Sequence, residues 1–292
     1  MINYHEPLFR PPSEAYSFIL QVTLGCAWNK CAFCEMYSSK QFKVRSEEDI
    51  FADIDSMEAY GEQYRKIFLA DGNAMVLSFD KLSRILDKLK DTFPKMTRVS
   101  AYALPKDIAE KSDEELKTLA DKGLKLLYVG IESGDDELLK RINKGENFES
   151  TSHALQRARK AGIKLSVMIL NGLGGKNYSQ QHAINSAKVV NEIQPEFLST
   201  LVLSYPYGEE HFMKKFDGEF IALNTIELIA EIKVFIETLE LNQSVFRSDH
   251  ASNYLILRGN FPRDKEEMLS RINGVLDDPA NAKLRPEWMR GL

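Results

Sequence analysis

The sequence predicts an α/β fold of parallel strands, a partial (β/α)6 TIM-like barrel with a small, mainly helical C-terminal extension. Three observations predict it. Short β-rich apolar runs alternate with longer segments of helical periodicity, the pattern of βα units around a parallel sheet. The units follow one another without a break. Glycines stand where helices must end before the next strand begins.

The expected strands are Tyr16 to Thr23, Lys66 to Ala70, Thr97 to Ala103, Lys125 to Ile131, Lys164 to Leu170 and Phe197 to Leu203. Between them lie helices at Glu47 to Tyr60, Phe79 to Asp91, Asp113 to Asp121, Asp135 to Ile142 with Glu149 to Ala161, and Gln180 to Ile193. Ser46 followed by Glu48 and Asp49 suits a helix start, and Gly123 and Gly162 suit helix ends. Past Ser204 the pattern changes. Tyr205-Pro-Tyr-Gly is a turn, and Asn224 or Thr225 caps a helix whose stripe Ile226, Ile229, Ile232, Phe235, Ile236 and Leu239 is expected to pack on the barrel. A short run near Ser244 to Phe246, a polar stretch, another apolar segment and a helix from Arg263 to Val275 follow. The tail from Asp277 reads as an extended strap or a disordered end. The expected division is 1–205, a barrel with an N-terminal lead-in, and 206–292, an extension capping it.

A chain of 292 residues can bury one large core or a barrel with an appendage. Its net charge of −5, with signs mixed throughout, disfavours nucleic acid as a partner, since duplex binders carry a basic patch or stripe. No apolar run is long enough to span a membrane, and the start Met-Ile-Asn-Tyr-His-Glu-Pro lacks the regions of a signal peptide. The expectation is a cytoplasmic protein.

All three cysteines, Cys26, Cys31 and Cys34, fall in one short run. An odd number cannot pair off internally, and clustered thiols in a cytosolic chain point to metal or catalysis. Three thiolates on a tight loop suit an iron-sulfur cube but are one short of the four that an electron-transfer cluster takes. One iron is then open to a chelating small molecule. The spacing alone also permits a Cys3His zinc site completed by a distant histidine such as His5. The alternative function is therefore a non-catalytic iron-sulfur or zinc binding or electron-transfer protein.

The cysteine run resembles the signature of radical S-adenosylmethionine (SAM) enzymes, C-x3-C-x2-C with an aromatic residue before the last cysteine. Phe33 holds that aromatic position, and one residue more separates Cys26 from Cys31. The resemblance covers residues 15 to 205. It implies a [4Fe-4S] cluster on Cys26, Cys31 and Cys34, and SAM chelating the open iron through its amine and carboxylate. It further implies reductive cleavage of SAM to a 5′-deoxyadenosyl radical that abstracts hydrogen from an unidentified small-molecule or peptide substrate. The partner implied is a reductant such as flavodoxin or ferredoxin, and the activity that of an oxidoreductase or transferase.

In barrels of parallel strands the chemistry gathers at the C-terminal strand ends. The second strand ends in Asp71-Gly72-Asn73, whose position matches the glycine-rich segment that meets the methionyl amine of SAM in this family. The fourth ends in Glu132, a carboxylate costly to bury without a partner and therefore suited to hydroxyl groups such as those of a ribose. The resemblance implies that Lys144 meets the SAM carboxylate, with Arg141 as the alternative cation. This string resembles the branch that includes the oxygen-independent coproporphyrinogen oxidases and the methylthiotransferases. The fifth strand runs into Asn171-Gly172-Leu173-Gly-Gly, where the family places adenosine. Two departures bear on substrate: the third strand reads Ser100-Ala-Tyr-Ala-Leu-Pro where the porphyrin oxidases have an acid, and no cysteine remains for the auxiliary cluster of the methylthiotransferases. On the substrate side the expectation falls on Arg247, His250 and Asn253, whereas His153 and His182 read as surface residues of helices.

Overall fold

The computed structural model describes residues 2–291. The chain divides into two compact units: one made of the chain up to Asn29 with Cys34–Val129 and His153–Leu165, the other of Lys30–Phe33, Gly130–Ser152 and the chain from Ser166 on.

The first unit holds β1 (Phe18–Gln21), β2 (Thr23–Leu24), β3 (Lys43–Val44), α1 (Glu47–Asp55), β4 (Lys66–Ala70), α2 (Phe79–Thr92), β5 (Arg98–Tyr102), α3 (Pro105–Ala109), α4 (Asp113–Asp121) and most of β6 (Leu124–Glu132). β1, β4, β5 and β6 pair in that order, every pair parallel. Ile67, Phe68, Leu69 and Ala70 of β4 are all fully buried, so both faces of the strand are covered, as parallel strands between helices require. Leu82, Ile85, Leu86 and Leu89 form one buried stripe of α2 at spacings of three and four. Phe68 meets the rings of Tyr102 and Tyr128 edge-on at 5.1 and 6.0 Å. The lead-in also reaches the core. Glu14 is fully buried, paired with Arg98 at 2.6 Å and accepting from the Tyr128 hydroxyl at 2.5 Å.

The second unit holds α5 (Asp136–Arg141), the start of α6 (Phe148–Lys160), most of β7 (Lys164–Asn171), α7 (Gly175–Ile193), β8 (Phe197–Val202), α8 (Glu209–Lys215), α9 (Thr225–Thr238), β9 (Ser244–Ser248), β10 (Leu257–Phe261) and α10 (Lys265–Asp277). β7, β8 and β9 are parallel and β10 runs antiparallel to β9. Phe212, Phe216 and Phe220 pack with Leu138, Leu139, Ile142 and Leu173 in one buried cluster.

The six expected strands form, and the extension adds β9 and β10 to them. Helix starts follow the local chemistry. Ser46 accepts from the Asp49 amide, and reciprocal capping boxes join Ser112 with Glu115 and Asn224 with Glu227. Gly123 and Gly162 have φ of +113° and +89°, the left-handed region glycine enters most easily. The helix expected from Gln180 begins earlier, at Gly175, because the Lys176 amide already has a partner in the Ile221 carbonyl at 2.8 Å. The tail is docked as a strap: Arg285 donates to the carbonyls of His250 and Asn253 at 2.6 and 2.8 Å. Among the described residues no helix is long and apolar enough to cross a membrane.

Phe68→Ala is expected to cost about 3–5 kcal/mol of stability in urea denaturation, the range for deleting a buried aromatic ring. A loss within experimental error would contradict the packing of the tyrosine pair on Phe68.

Candidate active site

β2 and β3 pair antiparallel, Thr23 with Val44 and Leu24 with Lys43, so the loop bearing the cysteines is pinned at both ends. None of the three thiols is in a disulfide, and all are half-buried. Asn29 lies within the longer interval between Cys26 and Cys31. Its φ of +44° is tolerated by asparagine, and its side-chain amide donates to the Tyr37 carbonyl at 3.0 Å, which folds the extra residue back onto the loop. In the second unit, the Ala32 amide donates to Ile142 O at 2.9 Å, and the Lys144 ammonium stands 5.6 Å from the centre of the Phe33 ring.

Beyond β4 the three expected residues differ in what their atoms do. The Asp71 carboxylate is completely buried and fully engaged, accepting from Gly25 N at 3.0 Å, Lys40 Nζ at 2.8 Å and Gln21 Nε2 at 3.2 Å. Gly72 passes where no side chain fits: a Cβ there would lie 2.9 Å from both Cys26 Cβ and Tyr37 Cε2. Asn73 is also fully buried. Its Nδ2 donates to the Asp107 carboxylate, and its Oδ1 has no partner.

Glu132, the last residue of β6, has φ of +67°, a left-handed conformation that costs a non-glycine residue on the order of 1 kcal/mol or more. Its carboxylate folds back toward the strand, with Oε1 only 2.0 Å from where a Cβ on Gly130 would sit, so Gly130 makes the conformation possible. Lys144 Nζ lies 3.3 Å from Oε1, both side chains are 5 % exposed, and Oε2 has no partner. Burial pushes the Glu132 pKa up, with the Lys144 charge opposing it. Arg141, the alternative cation, is engaged elsewhere: it donates to the Asp217 carbonyl, pairs with Glu137 at 2.7 Å and stacks 5.0 Å from the centre of the Tyr178 ring.

After β7, Gly172 has φ of +84° and its amide donates to Glu231 Oε1 at 2.6 Å, while Asn171 Nδ2 donates to Leu228 O at 3.1 Å. Leu173 is buried in the phenylalanine cluster. His182, expected on the surface, is 1 % exposed, with Nδ1 2.8 Å from Ser133 Oγ and Nε2 3.2 Å from Leu170 O. It stands on an inward stripe of α7 with Ser186 and Val189. Of the expected substrate-side residues, Arg247 is exposed and donates to the Phe246 carbonyl at 2.7 Å. His250 Nδ1 lies 2.9 Å from Ser252 Oγ. Asn253 is buried and donates to Thr200 O at 2.8 Å.

A model of the radical SAM superfamily matches residues 20–187, more than half of the sequence. The chain belongs to the radical SAM superfamily. Members are enzymes that use a [4Fe-4S] cluster and SAM. Among curated radical SAM relatives, a candidate methylthiotransferase of Methanocaldococcus jannaschii is 25 % identical over 80 % of this chain and 56 % of its own length. The oxygen-independent coproporphyrinogen III oxidase of Helicobacter pylori is 21 % identical over 84 % of this chain and 54 % of its own. The chain thus spans a little over half the length of these two relatives. Coproporphyrinogen III oxidase from Escherichia coli shares the fold at a TM-score of 0.57, with 17 % identity, covering 76 % of this chain and 52 % of that one. Methylornithine synthase does so at 0.51, with 15 % identity, covering 77 % and 63 %. Both likenesses are of fold.

The donor set fits the cofactors of the superfamily. Among the described residues no three His, Cys, Asp or Glu side chains, the three thiols included, converge as a preformed site for a single metal ion. Two of the residues expected to meet SAM, Asn73 and Glu132, carry buried acceptor atoms with no donor. A buried acceptor left open is costly unless a ligand fills it.

Gly72→Ala is expected to cost about 1–3 kcal/mol by overpacking against Cys26 and Tyr37, and to lower the iron and sulfide content after anaerobic reconstitution. Urea denaturation and metal analysis matching the wild type would contradict this close approach.

Proposed function

We propose that the protein is a radical SAM enzyme whose cluster is held by Cys26, Cys31 and Cys34 and which cleaves SAM reductively in order to take hydrogen from a small-molecule or peptide substrate. The observation that carries this reading is the pair of open buried acceptors, Asn73 Oδ1 and Glu132 Oε2, at the ends of two parallel strands that follow the cysteine loop. Bound there, the reduced cluster and SAM supply one electron and a scissile carbon–sulfur bond, yielding methionine and the 5′-deoxyadenosyl radical.

The residues of the chain position and shield. The backbone of Asp71, Gly72 and Asn73, together with Asn73 Oδ1, receives the SAM amine, since an amine whose lone pair is given to iron keeps only its N–H donors and the amide oxygen offers only lone pairs. Lys144 meets the SAM carboxylate and Glu132 accepts from the ribose hydroxyls through its open oxygen. Gly172 and Leu173 offer a backbone turn to the adenine while the Leu173 side chain packs in the phenylalanine cluster, and Phe33 lies against the Lys144 ammonium. The Asp71 side chain holds the loop and has no part in binding the amine.

In this reading residues 1–205 furnish the cofactor site and residues 206–292 the substrate side, where Arg247, His250 and Asn253 are the candidates. Arg247 and His250 are both exposed and Asn253 is buried, and of the two exposed residues Arg247 carries the permanent positive charge that suits an anion. A flavodoxin or ferredoxin supplies the electron, and the compartment is the cytoplasm. The shared fourth-strand pattern favours a redox reaction on a substrate other than a porphyrin, because Ser100 to Pro105 lacks the acid of the porphyrin oxidases.

The test is anaerobic reconstitution with iron and sulfide, reduction with dithionite, addition of SAM and assay of 5′-deoxyadenosine. The expected result is production by the wild type and none by Cys31→Ala. A well-formed cluster that leaves SAM intact would instead favour electron transfer or metal storage.

A further inference from the structure

An asparagine amide presents two edges of nearly the same shape and opposite chemistry, and nothing in Asn73 itself decides which edge is left for a ligand. The decision falls to Asp107 on α3. Both side chains are buried, Asn73 completely and Asp107 to within 2 %, and Asn73 Nδ2 donates to the Asp107 carboxylate. An ionised carboxylate only accepts, so it selects the NH2 edge and leaves the oxygen edge open. With the amide reversed, two acceptors would face each other inside the protein while the NH2 group faced the incoming amine.

A second cross-link holds the same two segments. Lys111 is 5 % exposed, and its Nζ donates to Met75 O at 2.6 Å and to Asp107 O at 3.3 Å. The turn Asn73 to Met75 is therefore fastened to the stretch Asp107 to Lys111 at two points, one through each residue pair. Burial pushes the Asp107 pKa up, opposed by its bond from Asn73 and by the charges of Lys106 and Lys111. Those neighbours favour the ionised form that can only accept.

We propose that Asp107 is a positioning residue for amine recognition: by binding Asn73 Nδ2 it fixes Asn73 Oδ1 as the acceptor for the N–H groups of the SAM α-amine. The inference rests on the assignment of Asn73 to the SAM amine, and it adds the residue that gives that assignment its polarity.

The experiment compares equilibrium binding of SAM with that of its deaminated analogue, in which a keto oxygen replaces the amine, to reconstituted protein matched for iron content. Asp107→Ala is expected to weaken SAM binding about 10-fold, the effect of losing one well-placed hydrogen bond, and to leave the analogue unchanged. Asn73→Ala is expected to do the same, and combining the two to add nothing further. Asp107→Asn keeps the shape but can present either edge, so an intermediate loss confined to SAM is expected even where the alanine variant fails to fold. Equal weakening of SAM and analogue, or no change in either, would overturn the role of Asp107 while leaving the Asn73 assignment in place. A wild type that binds the two alike, or binds neither, would overturn both.

Discussion

The buried carboxylate of Asp71 is the point from which the cysteine loop is hung. It receives the amide of Gly25 just before the first cysteine, the ammonium of Lys40 just after the last, and the side chain of Gln21 at the end of β1. One group at the tip of β4 thus sets where the loop leaves β2 and where it returns toward β3. A carboxylate with no solvent exposure is stable only because three donors surround it, one of them the Lys40 cation, and removal of that cation strands a charge inside the protein. The close passage of Gly72 beneath Cys26 and Tyr37 depends on that anchoring.

Around this anchor the polar interior sorts into two kinds of group. Asp71, Glu14 and His182 have all the partners they need, and they make the framework rigid. Asn73 and Glu132 each keep one buried acceptor open, and Glu132 also holds a left-handed backbone. Such features lower the stability of the unliganded fold and persist where binding gives them a use. Residue type alone does not separate scaffold from site, since Asp71 and Glu132 are both acids at strand ends and only Glu132 keeps an acceptor open.

Much of the architecture was legible in the sequence because it is written in local terms. The strand at Lys66 to Ala70 and the helix at Asp113 to Asp121 have the expected ends, fixed by apolar runs and by a capping box. The pairing of β9 with β8 was not legible, since that register depends on a neighbour more than forty residues away. The cysteines and the strand-end residues Gly72, Asn73, Glu132 and Gly172 stood out as chemistry-bearing types in informative places. What they do atom by atom did not. The Asp71 side chain is a brace, which the sequence did not show because Lys40 and Gln21 reach it only in three dimensions. Asp107, Lys111 and Glu231 carried no motif at all. The one signal available was a charge on the apolar stripe of a helix: Glu231 interrupts the row of isoleucines in α9, where a carboxylate needs a buried donor and finds one in the Gly172 amide.

The central physical claim is that three thiolates leave one iron open to SAM. Electron paramagnetic resonance of the reconstituted, reduced cluster, recorded with and without saturating SAM, tests it without requiring turnover or a known substrate. A change in the g-values and linewidths on adding SAM is the result expected of an iron that gains ligands. A spectrum unaltered by SAM would mean that the cluster is closed, and the open acceptors at Asn73 and Glu132 would then belong to some other ligand.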